Sequence, residues 1–198
     1  HTDLLRQHFS RDAIMMLGCE KMFVALFTEH IPLKDVASSV EYKKLKQFFL
    51  DLHDSIPNEK IAVLGLNPHA GDNGLLGREE VDIIIPAIDK AKEEGILALG
   101  PYPADGFFGS DNFKKVDAIL AMYHDQGLTP FKALAFNSGV NYTAGLDFIR
   151  TSPGHGTAYE ITGLGKASEI SFRNAIYLAC DIYRSRTEYQ EISADPLQ

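Results

Sequence analysis

Three short apolar runs constrain the fold of this chain most, because each is typical of a buried strand and each leads directly to a histidine. The runs and their histidines are residues 24–29 with His30, residues 61–68 with His69, and residues 118–123 with His124. Helix-like segments separate the runs, and alternating strands and helices indicate a mostly parallel sheet flanked by helices. Ligands of such α/β sheets bind outside the carboxyl ends of the strands. The pattern therefore predicts an α/β/α fold with three imidazoles at one sheet edge.

These three histidines support a first functional hypothesis. Neutral imidazoles that leave coordination positions open for water or substrate form a catalytic divalent-metal site. The spacings of 39 and 55 residues between them match no short metal-binding motif. From the pattern alone, a shared metal ion and three separate polar residues at strand ends are supported about equally.

Composition narrows the class of partner. The 198 residues include 19 basic and 27 acidic side chains, for a net charge of −8, which argues against nucleic acid and anionic membranes as partners. No apolar run approaches the ~18 residues of a membrane span. Cys19 and Cys180 lie far apart in sequence, so we expect no disulfide framework and a reducing, cytoplasmic location. Because the chain starts at His1 inside a helix-like segment, we also expect an upstream region.

The periodicity of apolar residues predicts most of the remaining elements. We expect strands at residues 13–17, 22–27, 60–66, 96–99 and 118–122, and helices at residues 33–56, 79–94 and 167–184. Pro86 predicts a kink or a short first turn in the second helix. Residues 132–136 and 142–149 are strand-like, and Asn137-Ser-Gly between them suggests a hairpin turn. The last residues, 188–198, are polar and are expected to be frayed.

Several polar residues near these elements are candidates for substrate contacts. Lys132, Asn141 and Arg150 form either a cradle for a phosphate or carboxylate group or a set of scattered surface residues. Asp125 and its neighbour Gln126 can orient His124 or contact substrate. The remaining candidates are Asp105, either a turn residue or an acid facing the metal, and the glycine-spaced residues 153–166, either a ligand-binding loop or a linker.

Six stretches of the chain, taken together, point to one protein family. They are LFTEHIPLKDV, LGLNPHAGDNGLLGREEVD, GPYPADGFF, DAILAMYHDQGL, GVNYTAGLDFIRTS and HGTAYEITGLGKA. Over nearly its whole length the chain thereby resembles the 4-hydroxythreonine-4-phosphate dehydrogenase family of vitamin B6 biosynthesis. The resemblance implies the fold of the isocitrate and isopropylmalate dehydrogenases. It places the contacts to metal, substrate and a second subunit in residues 1–162. Residues 163–198 are then expected to form a helix that leads back to the cofactor domain.

The resemblance also implies an active site at the interface of a homodimer, with metal ligands from both chains. The implied metal is zinc, with magnesium or cobalt as alternatives, and the implied coenzyme is NAD or NADP. The implied residues are His30, His69 and His124 for the metal; His1, Thr2, Lys132, Asn141 and Arg150 for the substrate; and His155, Gly156, Thr157 and Ala158 for the coenzyme. Our candidates for acid and base catalysis are Asp105, Asp125 and Lys132.

The reaction implied by the resemblance is an oxidation followed by a decarboxylation. 4-Phosphohydroxy-L-threonine is oxidised by NAD at its secondary alcohol and loses CO2 to give 3-amino-1-hydroxyacetone phosphate. Three other functions stay open. The chain is alternatively a dehydrogenase of a phosphorylated four-carbon sugar acid or a cyclic diol carboxylate, a metal-dependent hydrolase, or a metal-binding fragment without activity of its own.

Overall fold

A computed structural model describes residues 13–56, 59–135, 138–154 and 159–194. The predicted substrate residues His1 and Thr2 and the predicted coenzyme residues 155–158 lie outside the described residues. The described chain forms one seven-stranded sheet in the order β4-β3-β5-β2-β1-β6-β7. Its strands are β1 (Ile14–Cys19), β2 (Met22–Leu26), β3 (Ile61–Leu64), β4 (Ala98–Tyr102), β5 (Ala118–Ala121), β6 (Val140–Ala144) and β7 (Arg150–Pro153).

The sheet is parallel in one half and antiparallel in the other. Strands β4, β3, β5 and β2 run parallel to one another, whereas β1 pairs antiparallel with β2 and β6, and β7 pairs antiparallel with β6. Only Glu20 and Lys21 separate β1 from β2, and a connection this short joins antiparallel strands only. The predicted α/β fold class is confirmed, in the form of a mixed sheet with helices on both faces.

Helices cover the two faces of the sheet and create two apolar cores. The α-helices are α1 (Val36–Ser39), α2 (Tyr42–Ser55), α3 (Ile85–Glu93), α4 (Ala104–Gly109), α5 (His124–Ala135) and α6 (Ile170–Ala194). Single turns of 3-10 helix occupy Leu33–Asp35, Asn112–Lys115 and Tyr159–Ile161, a longer 3-10 segment spans Pro68–Gly74, and a π-helical turn spans Glu80–Ile84. One core lies between the sheet and α2, α3 and α6, and the other lies beneath α4 and α5.

The predicted strand at residues 132–136 is wrong, because residues 124–135 form the single helix α5. Leu128, Phe131 and Ala135 recur at helical spacing and are buried against the sheet. The predicted hairpin at Asn137-Ser-Gly is wrong for the same reason, since a helix and not a strand precedes it. The hairpin of this region instead joins β6 to β7 through residues 145–149.

Two predicted helices are interrupted in the structure. The helix predicted over residues 33–56 breaks at Val40, whose extended backbone (φ −78°, ψ 97°) lets its side chain enter the core at 2% exposure. The kink predicted from Pro86 is present as the π-helical turn just before α3, since Pro86 has no N–H group to continue the α-helical bonding to the preceding turn.

The C-terminal helix is longer than predicted. Helix α6 continues to Ala194, through residues expected to be frayed, and it packs against β6 and β7. The division of the chain at residue 162 stays a prediction. Among the helices of the described residues, none is both long enough and apolar enough to cross a membrane.

Candidate active site

Three adjacent parallel strands bring the predicted histidines to one edge of the sheet. Strand β5 lies between β3 and β2 and is parallel to both, so the three carboxyl ends emerge side by side. His30 follows β2, His69 follows β3, and His124 begins helix α5 directly after β5. This is the edge at which α/β sheets bind their ligands.

His30 and His124 come together at this edge. Their ring centroids are 6.0 Å apart, with the ring planes inclined by 42°. Metal–nitrogen bonds of about 2.0–2.1 Å place the centroids of two imidazoles on one ion roughly 5–6 Å apart, so this pair fits two ligands of a shared metal. Nδ1 of His124 lies 2.7 Å from Oδ1 of Asp125, which leaves Nε2 of His124 for a ligand.

His69 lies on a strained loop at the same edge. The backbone of five successive residues, 69 to 73, is left-handed, and four of the five are not glycine. Left-handed helical backbone costs an L-residue about 1–2 kcal/mol, so the surroundings must hold this loop in place. Strain of this kind concentrates at functional sites. The side chain of His69 is exposed at the top of the loop.

Within the described part of the chain, the three predicted metal ligands do not come together. Among the described residues, no group of three His, Cys, Asp or Glu side chains is arranged to hold a metal ion. The pair of His30 and His124 therefore supplies two imidazoles, and His69 stands apart from them. Coordination of one metal ion by all three histidines stays a prediction.

Hydrogen bonds tie the three loops together at their bases. The carbonyl of Met122, at the end of β5, accepts hydrogen bonds from the amide of Thr28 at 3.2 Å and from its hydroxyl at 2.7 Å. The amide of Met122 donates to Oε1 of Gln126 at 2.7 Å, and Nε2 of Gln126 donates to the carbonyl of Gly65 at 2.6 Å. The oxygen and the nitrogen of the Gln126 amide thus both bond to backbone, and together they link the end of β3 to the end of β5.

Sequence reasoning missed part of this network. It did not single out Thr28, and it left Gln126 as a residue that orients His124 or contacts substrate. The only sequence signal for these hydrogen bonds was a polar residue next to an apolar run. Polar residues are common at the ends of strands, so this signal is weak.

The two candidate acids occupy different positions at this edge. Asp105 lies in the first turn of α4, directly after β4, and it is exposed. Because β4 is parallel to β3, Asp105 emerges at the same edge as His69. Asp125 is 81% exposed and contacts His124. The geometry therefore suits Asp125 to hold an imidazole and leaves Asp105 available to a ligand.

Arg150 and Asn141 lie on the antiparallel side of the sheet. Both β2 and β6 are antiparallel to β1, so β7 begins at the edge where β2 ends, and Arg150 is its first residue. Nη1 of Arg150 donates to Oγ1 of Thr143 at 3.0 Å. Asn141 is in register with Leu17, which belongs to the core beneath α4 and α5, so Asn141 points to that face. Its Oδ1 atom is buried and has no hydrogen-bond partner among the described residues.

Lys132 lies on α5 on the same face of the sheet. It is exposed in the last turn, eight residues beyond His124, which corresponds to about 12 Å along the axis at ~1.5 Å per residue. One chain thus places Lys132, Asn141 and Arg150 on a common face but places Lys132 well away from the histidine pair.

A cavity of about 790 Å³ lies at the opposite, amino-terminal edge of the strands. Its lining includes Glu59, Asp117, Tyr142 and Arg186. Burial, reinforced by a hydrogen bond and repulsion from Asp117, raises the pKa of Glu59 from 4.5 to about 7. This carboxyl pair is separated from the histidines by the length of the strands.

Known proteins resemble this chain in both sequence and fold. The model of the family described as "Pyridoxal phosphate biosynthetic protein PdxA" matches residues 1–179. Two curated relatives, both named 4-hydroxythreonine-4-phosphate dehydrogenase, come from Sulfurimonas denitrificans and Bacteroides thetaiotaomicron. The first is 60% identical over 178 residues, which are 89% of this chain and 58% of the relative. The second is 48% identical over 206 residues, which cover 100% of this chain and 57% of the relative.

Solved structures extend the similarity to the fold. A 4-hydroxythreonine-4-phosphate dehydrogenase from Klebsiella pneumoniae matches with a TM-score of 0.77 and 41% identity, over 92% of this chain and 57% of that one. A terephthalate 1,2-cis-dihydrodioldehydrogenase from Burkholderia xenovorans matches with a TM-score of 0.66 and 27% identity, over 85% and 55%. The chain spans little more than half the length of these relatives.

Proposed function

Since this chain belongs to the pyridoxal phosphate biosynthetic protein PdxA family, we propose that it carries the metal and substrate site of an NAD-dependent 4-hydroxythreonine-4-phosphate dehydrogenase. The reaction moves a hydride from the carbinol carbon of 4-phosphohydroxy-L-threonine to the nicotinamide and a proton from its hydroxyl to a base. The resulting β-keto acid loses CO2 and gains a proton to give 3-amino-1-hydroxyacetone phosphate. The pairing of His30 and His124 at the carboxyl edge is the observation that carries this proposal.

The residues at this edge fit a divalent ion, for which we propose zinc, with magnesium or cobalt as alternatives. His30 and His124 supply two imidazoles, and His69 completes the set when two subunits of a homodimer share their ligands. When bound, such an ion lowers the pKa of a substrate hydroxyl and polarises the carbonyl formed from it. Asp125 keeps the His124 imidazole oriented through Nδ1.

The polar face beside α5 fits the anionic groups of the substrate. Arg150 offers a forked cation and Lys132 a flexible one, and both suit a phosphate or a carboxylate. The unpaired Oδ1 of Asn141 can accept a hydrogen bond from a substrate ammonium or hydroxyl. Asp105 is exposed at the same edge and is our candidate for the base that takes the hydroxyl proton, with Asp125 and Lys132 as alternatives.

The remaining assignments are proposals that rest on family membership. NAD or NADP would contact His155, Gly156, Thr157 and Ala158, and His1 and Thr2 would contact substrate. A homodimer with a shared active site would complete the ligand set, since the described residues of one chain contain no group of three candidate ligands. The cytoplasmic location is likewise a proposal, supported by the two free cysteines, Cys19 and Cys180.

A second candidate substrate has a specific observation in its favour. The similarity to the Burkholderia xenovorans dihydrodiol dehydrogenase suggests a cyclic diol carboxylate, which carries no phosphate. The higher identity to the Sulfurimonas denitrificans relative favours the phosphorylated substrate. Only the phosphorylated substrate needs a cation at a phosphate group. Removal of the Arg150 side chain should therefore impair its turnover more than that of the cyclic diol carboxylate.

The test is NADH formation by the protein with each substrate, before and after removal of metal with a chelator. We expect turnover of 4-phosphohydroxy-L-threonine that a chelator abolishes and zinc restores. His124→Ala should remove the zinc-dependent turnover, and His53→Ala, a half-buried histidine on α2, should not. Turnover unaffected by chelation would exclude the metal, and turnover of the dihydrodiol alone would exclude the phosphorylated substrate.

A further inference from the structure

A buried glutamate lies beneath the loop that carries His69. Glu80 is 0% exposed and stands at the start of the helical segment that leads into α3. Its Oε1 accepts a hydrogen bond from the backbone amide of Asn67 at 2.7 Å, and its Oε2 accepts one from Nδ2 of Asn67 at 2.9 Å. Both oxygens of this carboxylate are therefore bonded to a residue at the base of the His69 loop.

The loop is built closely around this carboxylate. Gly71 is left-handed at φ +79°, and a Cβ atom there would lie 2.5 Å from Oε2 of Glu80. A Cβ atom on Gly65 would lie 2.9 Å from Cα of Ala70 and 3.2 Å from Oε1 of Glu80. Backbone on both sides of His69 thus packs against the same two oxygens, and a shifted loop would lose that fit.

No cation shares this task in the part of the chain that the structure describes. Arg78, the nearest arginine in sequence, forms a two-pronged contact with Asp82 at 2.7 and 2.9 Å. A carboxyl group that is buried without a cation is stabilised by its hydrogen bonds. Those of Glu80 come from Asn67, so the cost of its burial is offset only while the loop keeps this conformation.

We propose that Glu80 is the positioning residue for His69, holding the left-handed loop in the conformation that presents the imidazole at the carboxyl edge. The role of His69 as a metal ligand rests on the proposed function, whereas the hold of Glu80 on the loop does not. Glu80 has no exposed surface and touches no substrate, so it acts through His69.

The neighbouring Glu79 provides a matched control. Oε2 of Glu79 accepts one hydrogen bond, from Nδ2 of Asn67 at 2.7 Å. A glutamine at position 79 retains an oxygen that can accept this bond. A glutamine at position 80 cannot accept both bonds of Glu80, because one of its two terminal atoms is a donor. Glu79→Gln and Glu80→Gln therefore make the same chemical change but differ in whether the loop loses a hydrogen bond.

Hydrogen–deuterium exchange of the intact chain tests the hold on the loop without metal. Loss of a hydrogen bond to a charged group should raise exchange over residues 66–77 by about tenfold in Glu80→Gln. Asn67→Ala, which keeps the carboxylate and the backbone bond, should raise it less, and Glu79→Gln should match the wild type. Residues 118–135 should be unchanged in all variants. Unchanged exchange over 66–77 in both Glu80→Gln and Asn67→Ala would overturn the proposal.

Zinc titration by calorimetry then separates positioning from general stability. The affinity for zinc should fall about tenfold or more in Glu80→Gln, as it does when partners that orient metal ligands are removed, and stay unchanged in Glu79→Gln. A looser loop with wild-type zinc affinity would overturn the assignment of Glu80 to His69. If the wild type binds no zinc while the Glu80→Gln loop exchanges faster, the metal in the proposed function fails and the hold of Glu80 on the loop is supported. Should Glu80→Gln fail to fold, Asn67→Ala carries both measurements.

Discussion

The polar side chains at the two edges of the sheet make different kinds of contact. At the carboxyl edge, side chains bond to backbone: Thr28 and Gln126 to the ends of β2, β3 and β5, and Glu80 to the His69 loop. The imidazoles above them are left exposed or half-exposed. At the amino edge, Glu59 and Asp117 face each other beside a cavity. Asp117 also accepts a backbone hydrogen bond, from the amide of Lys60 at 2.8 Å, but unlike the polar groups of the carboxyl edge it repels its neighbour Glu59 when both are charged.

Removing a histidine from the carboxyl edge should have the largest effect, because it removes a proposed metal ligand. His30→Ala or His124→Ala takes away one of two paired imidazoles, and we expect zinc affinity to fall at least a hundredfold. His53→Ala serves as the control on α2, and calorimetric titration with zinc gives the affinities. If either edge histidine can be removed without loss of zinc binding, the carboxyl edge is not the metal site.

Breaking the network below the histidines should have the next largest effect. Gln126→Leu leaves the amide of Met122 and the carbonyl of Gly65 without partners, at about 1–3 kcal/mol for each unpaired group. Denaturant unfolding should show this loss of stability, and zinc affinity should fall with it. Thr129→Ala, an exposed position on the same helix, should change neither. Equal stability of the two variants would mean that the network does not hold the edge.

The close approach of α5 to the sheet gives a smaller, purely steric effect. A Cβ atom on Gly127 would lie 2.6 Å from Cγ1 of Val24 and 2.9 Å from Cβ of Ala121. Gly127→Ala should therefore destabilise the fold by about 1–3 kcal/mol. Gly106→Ala on α4, where nothing lies within 4 Å, should leave stability unchanged or raise it slightly. Thermal melts of the pair make the comparison, and a neutral Gly127→Ala would show that α5 can move away from the strands.

The smallest effect belongs to the amino edge and depends on pH. The folded pKa of Glu59 lies above its unfolded value, so the folded state binds the extra proton between about pH 4.5 and 7. Stability from this group is therefore complete below the unfolded pKa and is lost as pH rises through 7. Since Glu59 is partly exposed, water screens the interaction and the change will be small. Urea midpoints at pH 5 and 8 should converge in Glu59→Gln, and an unaltered pH dependence would contradict the prediction.

The sequence predicted the carboxyl edge well because strand polarity follows from chain direction. A histidine after each of three parallel strands must emerge at the same edge, whatever the helices do. Helix α5 was misread in part because Gly127 and Pro130 are poor helix formers, and tertiary packing of Leu128 and Phe131 outweighs that propensity.

The loop above β3 shows what a single sequence does not reveal. Left-handed backbone at His69, Ala70, Asp72 and Asn73 opposes the preference of each residue, and it exists because Glu80 and the surrounding glycines hold it. Glu80 itself has the pattern of a solvated charge in the first turn of a helix. Its burial becomes evident only when the loop is folded back over it.

We propose that His69 of one subunit meets the pair of His30 and His124 of the other, and the zinc content of mixed dimers tests this most directly. His69→Ala and His124→Ala would be purified separately, dissociated, combined in equal amounts and measured for bound zinc. Each variant alone should bind little zinc. If the site is shared, random pairing in a two-fold dimer restores one intact site in the mixed species, or about a quarter of the wild-type content. Zinc in the mixture no higher than in the separate variants would contradict the account.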